Sequence, residues 1–488
     1  MGNPHPLIDS STDKHVAPYH PGVLQLDRPM FLRQLCTDEY LPMGYTDADR
    51  RVIRRTQDAL GAVARERSVP VRALAGERSA TAAGLGALNQ EYGHEFYRVP
   101  DVAAMGEDEA SEAVADALDG DELVIDVQTH YMAPHSANLF PCGWLRDLFR
   151  QVMPGWWRDL DQDFAWDLSY YLTNVYLRTE TAVAVLTSSP GTTDLCPLFN
   201  DEIYATRALV DNLAGQGRLL NHAVVHAETQ TELAAMEEMR DRYRPVGWKV
   251  YTMGAMVETG WTEPWFLDDE KTGLPFLTRA RDLGVNLVCT HKGLSQLAPN
   301  GAPRDVGPAA RAFPDINFVV YHSGYEFPVD GHPGEGPYTE QTADIGINRL
   351  LRTMDDNGIG HGSNVYAELG STWFSVIRRP VEAAHVLGKL IKTFGVDNVI
   401  WGTDSIWYGG SQPLIDAFRA FQIPEPICEK YGYEQLTAKD KEKILGLNAA
   451  RVYDIDVEAA RRASANDDLA WAREAVDEYR KRQFPGVR

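Results

Sequence analysis

The chain has 488 residues, of which 44% are hydrophobic and 24% are charged, values typical of a globular protein with a large core. Its 70 acidic and 47 basic residues give a formal net charge of −23, which would repel a nucleic-acid backbone and an anionic membrane surface. We therefore expect neither nucleic acid nor a membrane as a partner. A local cluster of Lys and Arg side chains could still bind an anionic small molecule such as a CoA thioester.

The cysteines and the N-terminal segment favour a cytoplasmic protein. The five cysteines are scattered without CxxC spacing, which argues against a zinc ribbon and against a disulfide framework. Residues 1–20 lack the basic start and apolar run of a signal peptide, and no stretch of about 18 apolar residues occurs elsewhere. We expect a cytoplasmic location without export.

The chain begins with an extension over residues 1–120 that we predict to be mostly helical. After an irregular lead over 1–29, amphipathic spacing predicts helices within 45–68 and 102–120, and no convincing strand is present. At the other end, the charged segment 457–488 is predicted to form a helix that docks on the main body by one apolar stripe.

Between these ends, over residues 121–456, short apolar runs rich in Val, Ile and Tyr alternate with helical stretches. The eight runs cover 122–130, 181–188, 221–228, 247–253, 286–293, 317–324, 364–370 and 398–405. Alternating strands and helices produce a parallel sheet, because each crossover returns the chain to the same end. Eight such units favour an α/β fold of the (β/α)₈ barrel type, and a doubly wound open sheet is the alternative.

The connection over 131–180, which follows the first run, is unusually aromatic. In a barrel it lies over the mouth, where its rings either wall a substrate pocket or simply pack on the barrel. The aromatic residues concerned are Trp144, Trp156, Trp157, Phe164, Trp166, Tyr170 and Tyr171.

Polar side chains are concentrated at the carboxyl ends of the runs, where a barrel carries its active site. Gln128 and His130 are two residues apart, so on a strand they point to the same face. Imidazole nitrogens and a carboxylate are ligands that zinc, iron and manganese accept. A single His at a strand end is more often structural, but the combination predicts a metal site. Its predicted ligands are His130, His291, His322 and Asp404.

The order DVQTH, CTHKG, YHSG and WGTDS, closed by EKILGLNAARVYDID, resembles the amidohydrolase superfamily and its decarboxylase-like metal-dependent branch over roughly residues 122–456. The resemblance implies the same four ligands, and it places Lys249 where many relatives hold a bridging lysine. The family has His-x-His on the first strand, whereas this chain has Gln128 at the first of these positions. This departure implies that other groups complete the ligand set, and the nearest candidates are Glu326 and Lys249.

The Gln-Thr-His first strand and the overall length are also similar to those of the TIM-barrel nonheme diiron monooxygenases of platensimycin and platencin biosynthesis. This closer resemblance implies two Fe ions in the barrel mouth and O₂-dependent hydroxylation of an unactivated carbon in a CoA-linked, diterpenoid substrate. The electron donor is not identified. Asp404 and Lys249 would act in catalysis, and the pool of metal ligands would be Gln128, His130, Lys249, His291, His322, Glu326 and Asp404.

Two other functions remain open. One is a metal-dependent hydrolase or decarboxylase with Zn or Mn, in which the metal lowers the pKa of a bound water and Asp404 accepts its proton. The other is a barrel that has lost catalysis and serves as a binding protein, in which case Gln128 in place of the family's His would mark the loss. Barrels of this kind often form homodimers, which makes a homodimer a further possibility.

The roles of several other residues are predicted less specifically. Lys249 could be a carbamylated metal bridge, a cationic anchor for an anionic substrate group, or a partner of Glu228 or Glu368. His222 and His226 share a face of the third run and are expected to support the site without binding metal. The histidines in loops or helices, His332, His361 and His385, are expected to be structural.

Overall fold

A computed structural model describes most of the chain. The described residues are 28–33, 44–102, 104–105, 107–133, 166–189, 196–257, 260–294, 299–328 and 334–483. The first part of the aromatic connection, with Trp144, Trp156, Trp157 and Phe164, lies outside these ranges, and so does His332.

Within the described residues, eight parallel strands follow one another around a barrel, each hydrogen-bonded to the next in chain order. They are β1 (Val124–Thr129), β2 (Thr181–Leu186), β3 (Leu219–Val224), β4 (Gly247–Tyr251), β5 (Leu287–His291), β6 (Asn317–Tyr321), β7 (Val365–Glu368) and β8 (Val399–Ile400). Each predicted run corresponds to one of these strands. Seven runs contain their strand completely, and the third overlaps a strand that begins two residues earlier, at Leu219.

The barrel closes between β1 and the segment that follows β8. The backbone N–H of Val127 donates to the carbonyl of Trp401 at 3.2 Å, and the backbone N–H of His130 donates to the carbonyl of Ser405 at 2.6 Å. In the other direction, the N–H of Asp404 donates to the carbonyl of Gln128 at 2.9 Å. The predicted (β/α)₈ barrel is therefore confirmed, and the open-sheet alternative is wrong.

Helices cover the outside of the barrel and connect its strands. They are Leu168–Leu172 with the π-helical turn Thr173–Leu177, then Asn200–Ala214, Gln230–Tyr243, Gly273–Asp282, Val306–Ala312, Ile347–Asp356, Thr372–Ile377, Pro380–Phe394, Gln412–Ala420, Glu425–Tyr431, Ala438–Glu442 with the π-helical turn Lys443–Leu447, and Asn448–Val452. Helix Ile347–Asp356 shows why they dock, since Ile347, Leu350, Leu351 and Met354 form one buried stripe at helical spacing.

Shorter elements complete the described part of the barrel. Single 3₁₀ turns are found at Met30–Leu32, Pro299–Gly301, Pro303–Asp305, His322–Gly324, Glu340–Thr342 and Val396–Asn398. A two-stranded hairpin, which the sequence pattern did not predict, pairs Met256–Val257 with Gly260–Trp261 after β4.

The N-terminal extension is helical, as predicted. Its described helices are Asp47–Glu66, Val71–Leu74, Arg78–Tyr92 and Glu107–Leu118, of which the first and last were predicted and the third was not. After the third helix, the hydroxyl of Tyr97 donates to the carbonyl of Ile377 at 2.6 Å, and Phe96 and Tyr97 are fully buried. The extension therefore shares a hydrophobic core with the barrel helices.

The C-terminal segment forms two helices where one was predicted, Val457–Ala465 and Ala470–Gln483. Asp467 lies in the break between them and forms ion pairs with Arg218 and Arg473. This contact fixes the second helix to the start of β3. No described helix is long and apolar enough to cross a membrane.

Candidate metal centre

The four predicted ligands lie at the carboxyl end of the barrel, and each has at most 1% of its surface exposed. His130 follows β1, His291 ends β5, His322 follows β6 and Asp404 follows β8. The structure brings them together as two pairs. His130 Nε2 lies 3.0 Å from Asp404 Oδ1, and His322 Nε2 lies 3.2 Å from His291 Nδ1.

The spacing within each pair fits a shared ion. Two donors that each lie about 2.1 Å from one metal, at tetrahedral or octahedral angles, are separated by roughly 3.0–3.4 Å. In the part of the chain that the structure describes, no three His, Cys, Asp or Glu side chains are already arranged to hold an ion. The residues thus fit a divalent metal by donor type and pair spacing, and not as a complete preformed shell.

His322 is held in the protonation state that a metal ligand needs. Its Nδ1 lies 2.8 Å from the carbonyl oxygen of Gly370. Since a carbonyl only accepts, Nδ1 carries the proton, and the lone pair of Nε2 points towards His291. Burial lowers the pKa of His322 to about 4, although the charge of Asp404 opposes this effect. The imidazole is therefore neutral near pH 7.

The other two imidazoles are packed against aromatic rings. Burial is the main cause that places the pKa of His291 well below its usual value, and the nearby charge of Lys249 acts in the same direction. The His291 ring stacks on Tyr251 at 4.8 Å between centroids. His130 stacks on Trp407 at 5.8 Å, and Trp407 meets the edge of Trp166 at 5.2 Å. One residue of the aromatic connection, Trp166, is therefore separated from the candidate ligands by a single ring.

Asp404 is held by both of its carboxylate oxygens. Oδ1 accepts from Gln128 Nε2 at 2.9 Å and faces His130, and Oδ2 accepts from the hydroxyl of Ser371, which also contacts the hydroxyl of Tyr408. Burial would raise the pKa of Asp404, but the hydrogen bond and charge of His130 outweigh burial and lower it. The carboxylate is therefore ionised, which is the form that binds a metal.

Three residues of this site have left-handed backbone conformations that side chains rarely adopt. The φ angles are 64° at His322, 53° at Ser371 and 61° at Asp404. Each such residue costs about 1–3 kcal/mol and persists only where the surrounding structure holds it. Strain of this kind clusters at functional sites, which is consistent with a functional role for this end of the barrel.

Gln128, the departure from the family pattern, reaches the same cluster. Its Nε2 lies 3.5 Å from His130 Nε2, while its Oε1 is buried without a hydrogen-bond partner among the described residues. A half-turn of the amide would exchange the nitrogen and the oxygen and direct the oxygen towards His130 and a bound metal, with loss of the hydrogen bond from Nε2 to Asp404. Gly370 makes room for this side chain, since a Cβ there would collide with Gln128 Oε1.

The structure places Glu326 in an ion pair with Arg349. Glu326 Oε1 lies 2.5 Å from Arg349 Nη1. This arrangement occupies one carboxylate oxygen of the residue that the sequence had suggested as an additional ligand.

Lys249 is fully buried inside the barrel, with its Nζ 3.5 Å from the centre of the Tyr321 ring and 4.7 Å from that of Tyr251. Both carboxylates that were predicted as partners of Lys249 accept hydrogen bonds from other groups, and the charge of Lys249 also acts on Glu368. Glu228 accepts from Thr262 at 2.6 Å, and Glu368 accepts from the backbone N–H groups of His322 and Gly370. Burial raises the pKa of Glu368 to about 8.

The two histidines of the third run lie at different levels of the barrel. His226, past the end of β3, places Nδ1 2.8 Å from Glu232 Oε1. His222 lies deeper, where it contacts Cys289, Tyr321 and Tyr453, each at 3.4 Å. Two of the histidines that were predicted to be structural are described: His361 contacts the carbonyl of Lys392, and His385 contacts the hydroxyl of Tyr433.

Sequence reasoning missed Ser371, Trp407 and Tyr408. Ser371 lies three residues after the end of β7, and Trp407 and Tyr408 lie three and four residues after Asp404. Their closeness to strand ends was a usable signal, because loops at this end of a barrel supply the site.

Comparisons with known proteins identify the family. Similar solved structures include an uncharacterized TIM-barrel protein of Bordetella bronchiseptica (15% identity, 70% of this chain and 99% of that chain, TM-score 0.40). A second is a 2,6-dihydroxybenzoate decarboxylase of Rhizobium (15% identity, 69% of this chain and 99% of that chain, TM-score 0.40). A third is a dihydroxybenzoic acid decarboxylase of Polaromonas sp. JS666 with bound manganese and 2-nitroresorcinol (13% identity, 68% of this chain and 97% of that chain, TM-score 0.40). These similarities are too remote to carry an activity to this chain.

No curated protein matches the chain. The family model described as amidohydrolase matches residues 125–455, which include all eight strands except the first residue of β1 and contain all four candidate ligands. The chain therefore belongs to the amidohydrolase family.

Proposed function

We propose that the protein is an enzyme that uses a divalent metal, Zn or Mn, to hydrolyse or decarboxylate a small molecule in the mouth of the barrel. The observation that carries the proposal is the pairing of His130 with Asp404 and of His291 with His322, each at the spacing of two ligands of one ion. The tautomer of His322 supports it, because a proton on Nδ1 puts the lone pair on Nε2, the atom that faces His291.

One ion is better supported than two by the described side chains. A dinuclear site needs bridging oxygen donors, and Asp404 is the single carboxylate among the paired ligands. Glu326 is paired with Arg349, and the Nζ of Lys249 lies over the Tyr321 ring. The two Fe ions, the acyl-CoA substrate, O₂ and the electron donor that the closer resemblance implied therefore stay predictions without further support.

The roles of the residues follow from their contacts. When bound, a divalent ion here would polarise a carbonyl or carboxylate oxygen and, in hydrolysis, lower the pKa of a water molecule. His130, His291, His322 and Asp404 would hold it, with Gln128 able to add an amide oxygen. Asp404 would also accept a proton as hydrolytic attack begins. Trp407 and Tyr251 cover the flanks of the imidazoles and keep water from their rings.

Metal analysis tests the proposal. Protein produced in medium with equal iron, zinc and manganese should contain about one zinc or manganese per chain. Two irons per chain would instead support the diiron monooxygenase, and a chain that neither retains nor takes up a divalent metal would support the binding protein and overturn the proposal.

An activity screen then separates the two reactions. The metal-loaded protein is tested for CO₂ release from aromatic carboxylic acids and for acid release from esters, lactones and amides. His322→Ala should abolish either activity. The matched control is His385→Ala, since His385 is also buried but hydrogen-bonds to Tyr433 away from the site.

A further inference from the structure

We propose that Ser371 and Tyr408 are positioning residues that hold Oδ2 of Asp404, so that Oδ1 is the oxygen that the carboxylate would offer to a metal. The proposal rests on the proposed function, because it assigns a task to each oxygen of a predicted ligand. Neither Ser371 nor Tyr408 is one of the four candidate ligands.

The direction of the hydrogen bonds follows from their chemistry. Asp404 Oδ2 can only accept, so the single proton of the Ser371 hydroxyl is donated to it. Tyr408 contacts the same Ser371 oxygen, which can only accept a hydrogen bond because its proton is already donated to Asp404. The Tyr408 hydroxyl must therefore donate to Ser371, and the chain runs from Tyr408 through Ser371 to Asp404. Each donor in such a chain strengthens the next bond.

The two oxygens of Asp404 consequently have separate surroundings. Oδ1 faces His130 Nε2 at 3.0 Å and Gln128 Nε2 at 2.9 Å, on the side of the candidate ligands. Oδ2 is occupied by Ser371. Rotation of the carboxylate to present both oxygens would break the Ser371 bond and leave a buried hydroxyl unsatisfied, which costs about 1–3 kcal/mol.

The backbone around the pair is held on several sides. Ser371 N–H donates to the carbonyl of Thr403 at 3.4 Å, and its own carbonyl accepts from the hydroxyl of Ser375 at 2.7 Å. The Tyr408 ring stacks on Phe374 with 3.9 Å between centroids. These contacts link the loop after β7 to the loop after β8. They hold Ser371 in its strained conformation and set its hydroxyl against Asp404.

The test uses the full chain and two metals, Mn²⁺ and Co²⁺, in variants that remove one hydroxyl each, Ser371→Ala and Tyr408→Phe. Both should weaken Mn²⁺ binding by about 10- to 100-fold, the usual effect of losing a group that orients a ligand. Both should also change the visible absorption spectrum of bound Co²⁺, because Asp404 can then bind through both oxygens. A purely structural role would leave that spectrum unchanged.

The double variant provides a second readout. The proposed chain reaches Asp404 through Ser371, so the double variant should bind Mn²⁺ no more weakly than Ser371→Ala alone. Tyr433→Phe is the matched control, since it removes a tyrosine hydroxyl that contacts His385 instead. It should leave both the affinity and the spectrum unchanged.

The outcomes are distinguishable. If the natural protein binds neither Mn²⁺ nor Co²⁺, the proposed metal function fails. If it binds them and Tyr408→Phe, with an unchanged melting temperature, matches it in affinity and spectrum, the positioning role is wrong. Tyr408→Phe decides the question if Ser371→Ala does not fold, because it keeps the whole ring in place.

Discussion

The Nδ1 nitrogen of His322 lies 2.8 Å from the carbonyl oxygen of Gly370, two residues after the carboxyl end of β7. This single contact fixes the proton of the imidazole on Nδ1 and leaves Nε2 as the lone pair directed at His291. His322 is a candidate ligand because the loop after the neighbouring strand β7 supplies the carbonyl of Gly370 that accepts its Nδ1 proton.

Replacing His322 with Ala should reduce Mn²⁺ or Zn²⁺ affinity at least about 100-fold, because a directed imidazole donor is lost. Isothermal titration calorimetry of metal-free protein measures this change. His385→Ala serves as the control and should bind metal as the natural protein does. Equal affinities of all three proteins would remove His322 from the site.

Replacing Gln128 with His should tighten Zn²⁺ binding by roughly tenfold or more, because imidazole is a better zinc ligand than a carboxamide. The substitution keeps the side chain neutral, so it adds no charge beside Asp404. Competition with a chromogenic chelator gives the dissociation constant. An unchanged or weaker affinity would show that position 128 does not face the ion.

Glu326→Gln should leave metal stoichiometry unchanged and lower the free energy of unfolding by about 1–3 kcal/mol, because it weakens a charge-assisted bond from Arg349. Urea denaturation measures the stability and elemental analysis measures the metal. Loss of bound metal in a variant that is still folded would instead make Glu326 a ligand, as the sequence first suggested.

Stability should fall on acidification through His222. Burial, with smaller contributions from the charges of Lys249 and His130, lowers the pKa of His222 to about 3 in the folded protein. In the unfolded chain it returns to about 6.5, so unfolding takes up a proton between these values. The stabilisation is fully present above pH 6.5 and is lost as the pH falls towards 3, at roughly 1.4 kcal/mol per pH unit.

The measurement compares urea unfolding of the natural protein and of His222→Gln from pH 7 to pH 4, with a chelator present. The variant should show a shallower loss of stability because it cannot take up this proton. Parallel pH profiles of the two proteins would contradict the prediction.

Glu232→Gln should lower the pKa of His226. Burial favours the neutral imidazole, but the hydrogen bond and charge of Glu232 outweigh burial and raise the pKa above its usual value. Removing the charge should therefore lower the pKa of His226. NMR titration of the imidazole proton measures it, and Glu237→Gln on the same helix is the control that should leave it unchanged.

The sequence predicted the barrel because the evidence for it is local and repeated. Eight runs such as TAVAVL, which becomes the fully buried β2, carry the apolar composition of strands covered on both faces. The helix Arg78–Tyr92 was missed because its apolar spacing is weak; alanine and glycine supply most of its buried face. The C-terminal helix was predicted as continuous because the Asp467 ion pairs that occupy the break involve Arg218, distant in sequence.

By itself, the sequence determined which residues stand at the strand ends, since a period of two and a βα rhythm place His130, His291 and Asp404 there. Only the tertiary structure decided how those residues pair, that Glu326 is paired with Arg349, and that Ser371 and Tyr408 hold Asp404. The physical reason is that strand-end positions follow from neighbours along the chain, whereas a hydrogen-bond partner is chosen by loops that meet only when the barrel closes.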